Sequence, residues 1–308
     1  MLKKHKERTF MIIFDGSRKL YKGNLHLHTT MSDGKKSIEE ACEIYGEHGY
    51  DFMAITDHRK ISTDTGMIGK VFAIRSAEFD FYLAGQVVHI VAVGVDKSIM
   101  DRLPASSAAV GPQKVIDEIH IAGGLAILAH PAWSLNTPEV INGLRGLDGV
   151  EVYNTASGMP FNGDRADSST ILDVAFTQGR LLNLVASDDS HWYQGEHCKS
   201  YIKVAAEELT EESIKAAIKK GDFYASQGPE FHKIELDGKV LKVWCSPVKY
   251  ISFPSETPWV TGRTHAGEGL TYAEFKLNEN ANLKFVRVML VDEEGKRAWC
   301  NPINLENR

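Results

Sequence analysis

Two histidines separated by a single residue, His26 and His28, are the first residues of the chain whose types and spacing favour chemistry. The pattern of residues 24–29 predicts a strand, and side chains two positions apart on a strand point to the same face. Two imidazoles on one face can chelate a transition metal such as zinc. The alternative is a pair of surface histidines on an edge strand, and this short pattern by itself does not choose between the two.

Further ligand-type side chains stand in predicted strands or just after them. A lone histidine in an apolar strand, such as His89, is usually a core residue bonded to a backbone carbonyl. Burying a whole set of titratable groups without a metal would be very costly, so the set predicts a metal centre. Its members are Asp33, His58, Glu78, His89, His130, Asp189 and His191.

The elements that would position these residues alternate between strands and helices from about residue 20 to 227. Several candidate strands are apolar on both faces, as in buried parallel sheets. They are residues 24–29, 51–56, 71–77, 87–93, 126–129, 149–153 and 181–186. Helices are predicted to begin at a capping box on Ser37, at Pro112, at Thr137-Pro138, near Asp167 and at Glu211. This alternation predicts an α/β fold, either a barrel or a doubly wound sheet.

After Gly228-Pro229 the segments become short, most of them alternate, and turn residues separate them. Residues 240–245 and 250–253 are predicted as separate strands, and no helical pattern is convincing. A small β-sandwich-like domain over residues 229–308 is the expected structure. Residues 1–228, which begin with a predicted strand at 10–14, form the other expected domain.

The order of the ligand-type residues resembles that of the polymerase-and-histidinol-phosphatase (PHP) family of metal-dependent phosphoesterases. The shared order is His-x-His, Ser-Asp-Gly, Thr-Asp-His, Glu, His, His-Pro and Asp-x-His, over about residues 20–227. Residues 221–226 followed by Gly228-Pro229 resemble the junction in a branch with an added C-terminal β domain. The resemblance implies a distorted (β/α)7 barrel, similar to a TIM barrel, followed by that small domain.

The resemblance also implies metal ligands in three groups that share one bridging carboxylate. The groups are His26, His28, Glu78 and Asp189; Glu78, His89 and His130; and Asp33, His58 and His191. Many relatives have a histidine where this chain has Asp33. Three of the ligands, Glu78, Asp189 and His191, are the expected catalytic residues. The doublet Asp188-Asp189 leaves two registers open, and the Asp-x-His spacing favours Asp189.

Residues beside the ligands are candidates for orienting them or for holding the substrate. Asp57 and Asp188, together with Thr56, are expected to orient imidazoles by hydrogen bonds. A turn or helix N-cap is the alternative role for Asp57. The candidates for binding a substrate phosphate are Arg59, Lys60 and Arg75, although each alone is better explained as part of a solvated charged face.

Other candidates lie near the expected mouth of the site. Glu151 and Asn154 end a predicted strand and are expected to line this mouth. Trp192 and Tyr193 follow His191 directly. Their rings either stack on a base or an aromatic leaving group, or pack the loop.

A centre of this kind predicts hydrolysis by a water molecule that the metals activate. Two ions bring the pKa of a bridging water down towards about 7 and bind the phosphate oxygens. Mixed imidazole and carboxylate ligands suit Zn²⁺, Mn²⁺ or Fe²⁺, with two or three ions expected per chain. We therefore expect a phosphoesterase that cleaves a small phosphoester through a metal-bridging hydroxide. An ester or carbamate hydrolase with the same centre, or a binding protein with reduced catalysis, remains open.

The composition of the chain limits which kinds of partner and which cellular compartment are expected. The 308-residue chain has a formal charge of −6, which argues against nucleic acid or an anionic membrane as its partner. No apolar run is long enough to span a membrane. The four cysteines form no CxxC pair and favour a reduced, cytoplasmic setting. The expected partner is therefore a small-molecule phosphoester.

Overall fold

The computed structural model describes residues 10–103, 110–277 and 283–306. The chain divides into two compact units: a larger unit, Lys19–Gln227, and a smaller unit that combines Met1–Arg18 with Gly228–Arg308. The larger unit is a mixed α/β fold built on a large sheet, and the described part of the smaller unit contains strands and no helix. Within the described residues, no helix is long and apolar enough to cross a membrane.

The described residues of the two units form eighteen strands and six α-helices. The strands are β1 Phe10–Asp15, β2 Leu20–Asn24, β3 Phe52–Ile55, β4 Gly66–Ile68, β5 Val71–Leu83, β6 Gln86–Val93, β7 Leu125–Leu128, β8 Gly149–Asn154, β9 Asn183–Ser187, β10 Tyr201–Ala205, β11 Phe223–Ser226, β12 Phe231–Asp237, β13 Val240–Ser252, β14 Thr264–Lys276, β15 Phe285–Val286, β16 Met289–Val291, β17 Arg297–Cys300 and β18 Ile303–Asn304. The helices are α1 Ile38–Glu47, α2 Ile99–Arg102, α3 Pro112–Ile121, α4 Pro138–Gly143, α5 Ser169–Gln178 and α6 Glu211–Lys220.

The sheet of the larger unit has the strand order β11-β10-β2-β3-β5-β6-β7-β8-β9, with β4 paired to β5. Strand β2 runs parallel to β3 and β3 to β5, and β7, β8 and β9 are also parallel. Strands β3 and β7 are buried at every position, as their continuous apolar sequences predict. The (β/α)7 barrel itself stays a prediction.

The middle of this sheet departs from the parallel arrangement expected from the sequence. Strands β5 and β6 form a long antiparallel hairpin, because Ala84 and Gly85 have φ angles of 52° and 77° and close a two-residue turn. Strand β6 is also antiparallel to β7. The hairpin extends β5 to Leu83, so Glu78, which was predicted to end this strand, lies in its middle. Strands β10 and β11, which the sequence patterns did not predict, extend the sheet beyond β2.

Helix α1 supports the segment that carries the His-x-His pair. The predicted capping box is present, with the Ser37 hydroxyl accepting from Glu40 and the Glu40 carboxylate accepting from the Ser37 N–H. The apolar face of the helix, which includes Cys42 and Tyr45, packs in one buried cluster with Leu27. This cluster fixes the backbone between the two histidines.

The smaller unit contains a strand that the sequence assigned elsewhere. Strand β1 was expected in the domain of residues 1–228, but it pairs antiparallel with β12 from Phe10 to Asp15. Sequence periodicity identified this strand but carries no information on its distant partner. We therefore revise the two proposed domains to residues 19–227 and the remainder of the chain.

Strand β13 was predicted as two strands separated near Ser246-Pro247. It runs continuously from Val240 to Ser252, and its pairing with β14 shifts register between Trp244 and Val248. Pro247 has no N–H to donate, so a bulge rather than a break accommodates it.

Gly23 provides a test of the packing that leads into the His-x-His segment. A Cβ atom there would lie 2.1 Å from the buried ring of Phe52, whereas one at Gly66 would meet nothing within 4 Å. We expect Gly23→Ala to lower the free energy of unfolding by about 1–3 kcal/mol, because the core cannot expand without strain. The matched Gly66→Ala should change it by less than about 0.5 kcal/mol. Equal stabilities of the two variants in urea denaturation would show that this contact is not tight.

Candidate metal centre

The His-x-His segment follows strand β2 and does not lie within it, contrary to the prediction. Leu27, between the two histidines, makes a single parallel bridge to Ser190. The Thr56 hydroxyl lies 2.9 Å from both the N and the O atom of Leu27. The His28 N–H donates to Ser190 O at 2.9 Å. The backbone is therefore held on both sides, and the two imidazoles project to the same place.

Four donor atoms of the first expected group converge closely. His26 Nε2 and His28 Nε2 lie 3.3 Å apart, and each is 3.3 Å from Glu78 Oε2 and 3.1 Å from Asp189 Oδ1. Ligands at the corners of a tetrahedron around zinc, with bonds of 2.0–2.1 Å, lie about 3.3 Å from one another. The spacing of these atoms fits one metal ion.

Glu78 directs its two carboxylate oxygens to different histidines. Its Oε2 atom lies 3.2 Å from His58 Nδ1, in addition to its contacts with the first group. Its Oε1 atom lies 2.8 Å from His89 Nδ1 and 3.4 Å from His130 Nε2. The carboxylate is 1% exposed and sits between the two sets of imidazoles. This placement suits a carboxylate that bridges two ions.

The third expected group is more open. Asp33 Oδ2 lies 3.5 Å from His191 Nε2 and 3.8 Å from His58 Nε2, and 54% of the Asp33 side chain is exposed. Its Oδ1 atom lies 3.5 Å from His28 Nδ1. The structure thus brings all nine expected ligands into one cluster, in which Asp33 is the most exposed carboxylate.

The carboxylates and the imidazoles of the cluster compensate each other's charge. Burial favours neutral imidazoles, but the carboxylates of Asp189 and Glu78 outweigh it, raising the pKa of His26 well above its usual value and that of His28 to about 9. Burial acts to raise the pKa of Glu78 and Asp189, but the imidazoles hold both well below the usual range. Protons and a metal ion would compete for the same nitrogens, so metal affinity should fall as the pH drops.

Two observations support a metal ion rather than protons alone as the partner of these atoms. The buried Asp189 Oδ1 atom makes no hydrogen bond of acceptable geometry to any described residue, despite its two imidazole neighbours. His26 Nδ1 lies 2.9 Å from Glu151 Oε1, which favours the proton on Nδ1 and leaves the Nε2 lone pair facing the cluster. The donor set therefore fits a bound cation.

Left-handed backbone occurs at two of the candidate ligands and beside a third. The φ angles are 31° at His130, 55° at Asp189 and 51° at Arg59, which follows His58. The left-handed region costs a non-glycine residue on the order of 1–3 kcal/mol. Such strain persists where the surrounding structure enforces it, and here it coincides with the cluster.

Glu151, which the sequence placed at the mouth of the site, instead orients two of the candidate ligands. It is 1% exposed, and its Oε2 atom accepts from the His130 N–H and from Asn154 Nδ2, both at 2.8 Å. One carboxylate therefore fixes the His26 ring and the His130 backbone together. The available signal was a charged residue within the buried strand β8, but its role depends on contacts made by distant parts of the chain.

Asp57 and Asp188, the carboxylates that were expected to orient imidazoles, have other partners. Asp188 accepts from Asn24, Tyr45, Thr155 and two backbone N–H groups, and Asn24 in turn accepts from the His26 N–H. Its carboxylate does not face the cluster, whereas that of Asp189 does. Asp57 accepts from the backbone and hydroxyl of Thr29 at 2.8 Å and from Ser32 at 2.7 Å. It orders the turn that carries Asp33.

The cluster forms one side of a cavity of about 210 Å³. The lining residues are Asp33, His58, Glu78, His89, His130, Trp133, Ala156, Ser157, Asn162, Asp189, His191 and Trp192. Trp133 is a wall that the sequence did not identify. Of the two aromatic candidates, Trp192 lines the cavity. Tyr193 is buried and donates to His28 O at 3.0 Å, so it packs the loop.

The structure does not bring Arg59, Lys60 or Arg75 to this cavity. The Arg59 guanidinium pairs with Asp80 at 2.7 Å, and Arg75 Nε donates to Val95 O at 2.7 Å. Lys60 Nζ lies 3.5 Å from Met31 O. Their role in binding a substrate phosphate stays a prediction without support from the position of these side chains.

Comparison with known proteins gives one short sequence match. No family model matches the chain. Over 80 residues the chain is 35% identical to the DNA polymerase/3'-5' exonuclease PolX of Bacillus subtilis. The match covers 26% of this chain and only 14% of that protein.

Solved structures give a match over nearly the whole chain. A two-domain protein from Bacteroides vulgatus, described as containing a predicted PHP-like metal-dependent phosphoesterase, matches with a TM-score of 0.50 and 13% identity. The match covers 96% of this chain and 98% of that chain. An amidohydrolase from Chromobacterium violaceum matches with a TM-score of 0.42 and 15% identity, covering 56% of this chain and 89% of its own. The resemblance to PHP-type proteins is thus confirmed at the level of the fold.

A Glu151→Gln variant tests the role of this residue. Because Oε2 must still accept from two donors, the new amide nitrogen should face His26 Nδ1 and donate to it. This would move the imidazole proton to Nε2 and block the lone pair. We expect metal affinity to fall roughly 10–100-fold, measured by calorimetric titration of chelator-treated protein.

Glu118→Gln is the matched control, since Glu118 is 5% exposed and pairs with Arg102 and Lys114 away from the cluster. It should bind metal as the unaltered chain does. Unchanged affinity in Glu151→Gln would show that Glu151 does not set the tautomer of His26.

Proposed function

We propose that the chain is a metal-dependent hydrolase. The observation that carries this proposal is the convergence of His26, His28, Glu78 and Asp189, whose donor atoms have the mutual spacing of ligands around one ion. The remaining candidate ligands adjoin this point on one side of a cavity large enough for a small substrate.

Two or three divalent ions, zinc, manganese or iron, are the proposed cofactors. His26, His28, Glu78 and Asp189 would hold the first, and Glu78, His89 and His130 the second. Asp33, His58 and His191 would hold a third, whose more exposed carboxylate suggests weaker binding. Bound ions would supply Lewis acidity and an activated water. The chain itself supplies the fixed ligand positions and a partly enclosed cavity.

The proposed substrate is a small phosphoester. The order of the ligand residues resembles that of PHP phosphoesterases, and the shared fold with the Bacteroides protein supports this reading. A cavity of about 210 Å³ suits a small molecule better than a nucleic-acid strand, and the formal charge of −6 agrees. The expected roles of Glu78, Asp189 and His191 are to hold the ions and to position the reacting groups.

One observation favours an ester or carbamate as the second candidate substrate. Among the described residues that line the cavity there is no lysine or arginine, while Trp133, Trp192 and Ala156 supply apolar surface. A phosphate would then depend on the ions for nearly all of its charge compensation. A carbonyl substrate needs no such compensation in its ground state.

Covalent catalysis by a cysteine receives no support from the structure. Burial raises the pKa of all four thiols, Cys42, Cys198, Cys245 and Cys300, to about 12. A thiol nucleophile needs a lowered pKa or an activating base. Hydrolysis should therefore be insensitive to thiol reagents.

Glu78→Gln tests the proposed bridging carboxylate. A neutral amide cannot bridge two cations as a carboxylate can, so we expect at least one ion to be lost per chain. Turnover should drop at least about 100-fold. Elemental analysis and steady-state kinetics measure the two effects. Glu235→Gln, at a buried carboxylate of the smaller unit, is the control and should change neither. Wild-type activity in Glu78→Gln would identify a different bridge.

A substrate panel distinguishes the two candidate reactions. Chelator-treated protein should be inactive, and adding back Zn²⁺, Mn²⁺ or Fe²⁺ should restore hydrolysis of a phosphomonoester or phosphodiester. Inorganic phosphate should compete, since it would bind the same ions. If phosphate does not inhibit and only carboxylic esters or carbamates are cleaved, the second candidate replaces the first. Metal binding without turnover of any class would favour a binding protein.

A further inference from the structure

Two tryptophans adjoin different parts of the ligand cluster. The Trp133 ring centroid lies 5.0 Å from that of His130 and 6.2 Å from that of His89. The Trp192 ring lies 5.3 Å from the His191 ring, with an interplanar angle of 30°. Both indoles line the same cavity. A substrate whose reacting bond lies at the cluster would therefore have an indole surface within reach of its remaining atoms.

Trp192 is held in place although 41% of it is exposed. Its backbone N–H donates to Glu196 Oε1 at 2.6 Å, and the His191 and Gln194 N–H groups donate to the same carboxylate at 3.2 and 2.8 Å. Glu196 is itself 1% exposed. The Trp192 and Phe161 rings pack edge to face, with centroids 5.0 Å apart. A fixed, partly exposed indole loses little conformational entropy when a ligand binds to it.

Apart from the candidate ligands, the cavity is lined by the two indoles, Ala156 and two uncharged polar residues, Ser157 and Asn162. The lining residues include three carboxylates, Asp33, Glu78 and Asp189, and none of the described ones is a lysine or arginine. All three carboxylates belong to the proposed metal groups. Away from the ions, an anionic or strongly polar group would therefore find no cationic partner. A flat, uncharged ring would find two indoles on which to stack.

We propose, on the basis of the hydrolase function above, that Trp192 and Trp133 form a stacking subsite for a planar aromatic group of the substrate. The reacting ester lies at the metal groups, and the ring attached to it contacts the indoles. The chemical class is therefore an ester that carries an aromatic ring, either a simple aryl group or a nucleobase. The two tryptophans are specificity-determining residues and take no part in the hydrolytic step.

The test compares rings of similar size that differ in planarity. Benzylphosphonate and cyclohexylmethylphosphonate are not hydrolysed, so their affinities for the metal-reconstituted protein report binding alone, by calorimetry. We expect benzylphosphonate to bind roughly tenfold more tightly, and this preference to disappear in Trp192→Ala. Trp192→Phe should keep most of it. Trp259→Ala removes a tryptophan that is 87% exposed and outside the cavity, and should change nothing.

Kinetic comparisons identify the source of the ring. They also distinguish a failure of the stacking subsite from a failure of the hydrolase function. Benzyl and cyclohexylmethyl esters of whichever class is hydrolysed have similar alcohol leaving groups. The benzyl ester should therefore have the higher kcat/KM, as benzylphosphonate is expected to bind more tightly. A nucleoside 5′-phosphate compared with ribose 5-phosphate shows whether a base serves as the ring. Equal binding of the two phosphonates, with hydrolysis intact, overturns the stacking subsite and leaves the hydrolase standing. Failure to bind either phosphonate, with no ester hydrolysed, overturns both.

Discussion

The larger unit depends on the burial of two carboxylates, Glu78 and Asp189, against a shared set of imidazoles. Removing charged groups from water costs several kcal/mol per ion unless a partner compensates. Left-handed backbone at His130 and Asp189 adds to this cost. Several surrounding elements act to hold these groups in place: Thr56 clamps Leu27, and Glu151 fixes His26 and His130. Such an arrangement is well explained as preorganisation for cations, because the bonds between bound cations and these ligands would offset the cost of burial and strain.

Much of the secondary structure could be predicted from the sequence because its signals are local. The capping box at Ser37, the proline that begins α3 and the continuous apolar run of β7 each act within a few residues. The missed features depend on distant partners or on turn geometry. Strand β1 pairs with a segment more than two hundred residues away. The antiparallel course of β6 is set by Ala84, which no pattern marks as a residue of positive φ. The bulge at Pro247 likewise keeps β13 continuous where the sequence pattern predicts two separate strands.

The candidate ligands could be predicted for a different reason, since histidine and carboxylate are rarely buried without a partner. Their types and order were therefore informative before any contact was known, and the structure brings all nine together. The orienting roles could not be predicted in this way, although Glu151 itself was expected near the mouth of the site. Glu151 and Glu196 are two glutamates among many, and their importance comes from which N–H groups and ring nitrogens reach them. Arg59 illustrates the converse, because its place after His58 suggested a phosphate ligand, yet its guanidinium pairs with Asp80.

The loop after β9 carries both a candidate metal ligand and a wall of the cavity, the two features on which the proposed function depends. His191 is a candidate ligand and Trp192 a wall of the cavity, and both backbone N–H groups donate to the buried Glu196 carboxylate. His191 Nδ1 also lies 2.7 Å from Asp189 O, which directs its Nε2 towards Asp33. A displacement of this loop would therefore move a ligand and the indole together. In the proposed enzyme, selectivity for the substrate and occupancy of the third metal group would for this reason be coupled through the Glu196 carboxylate. A change at Glu196 should then alter both, whereas a change confined to the Trp192 ring should alter only the selectivity.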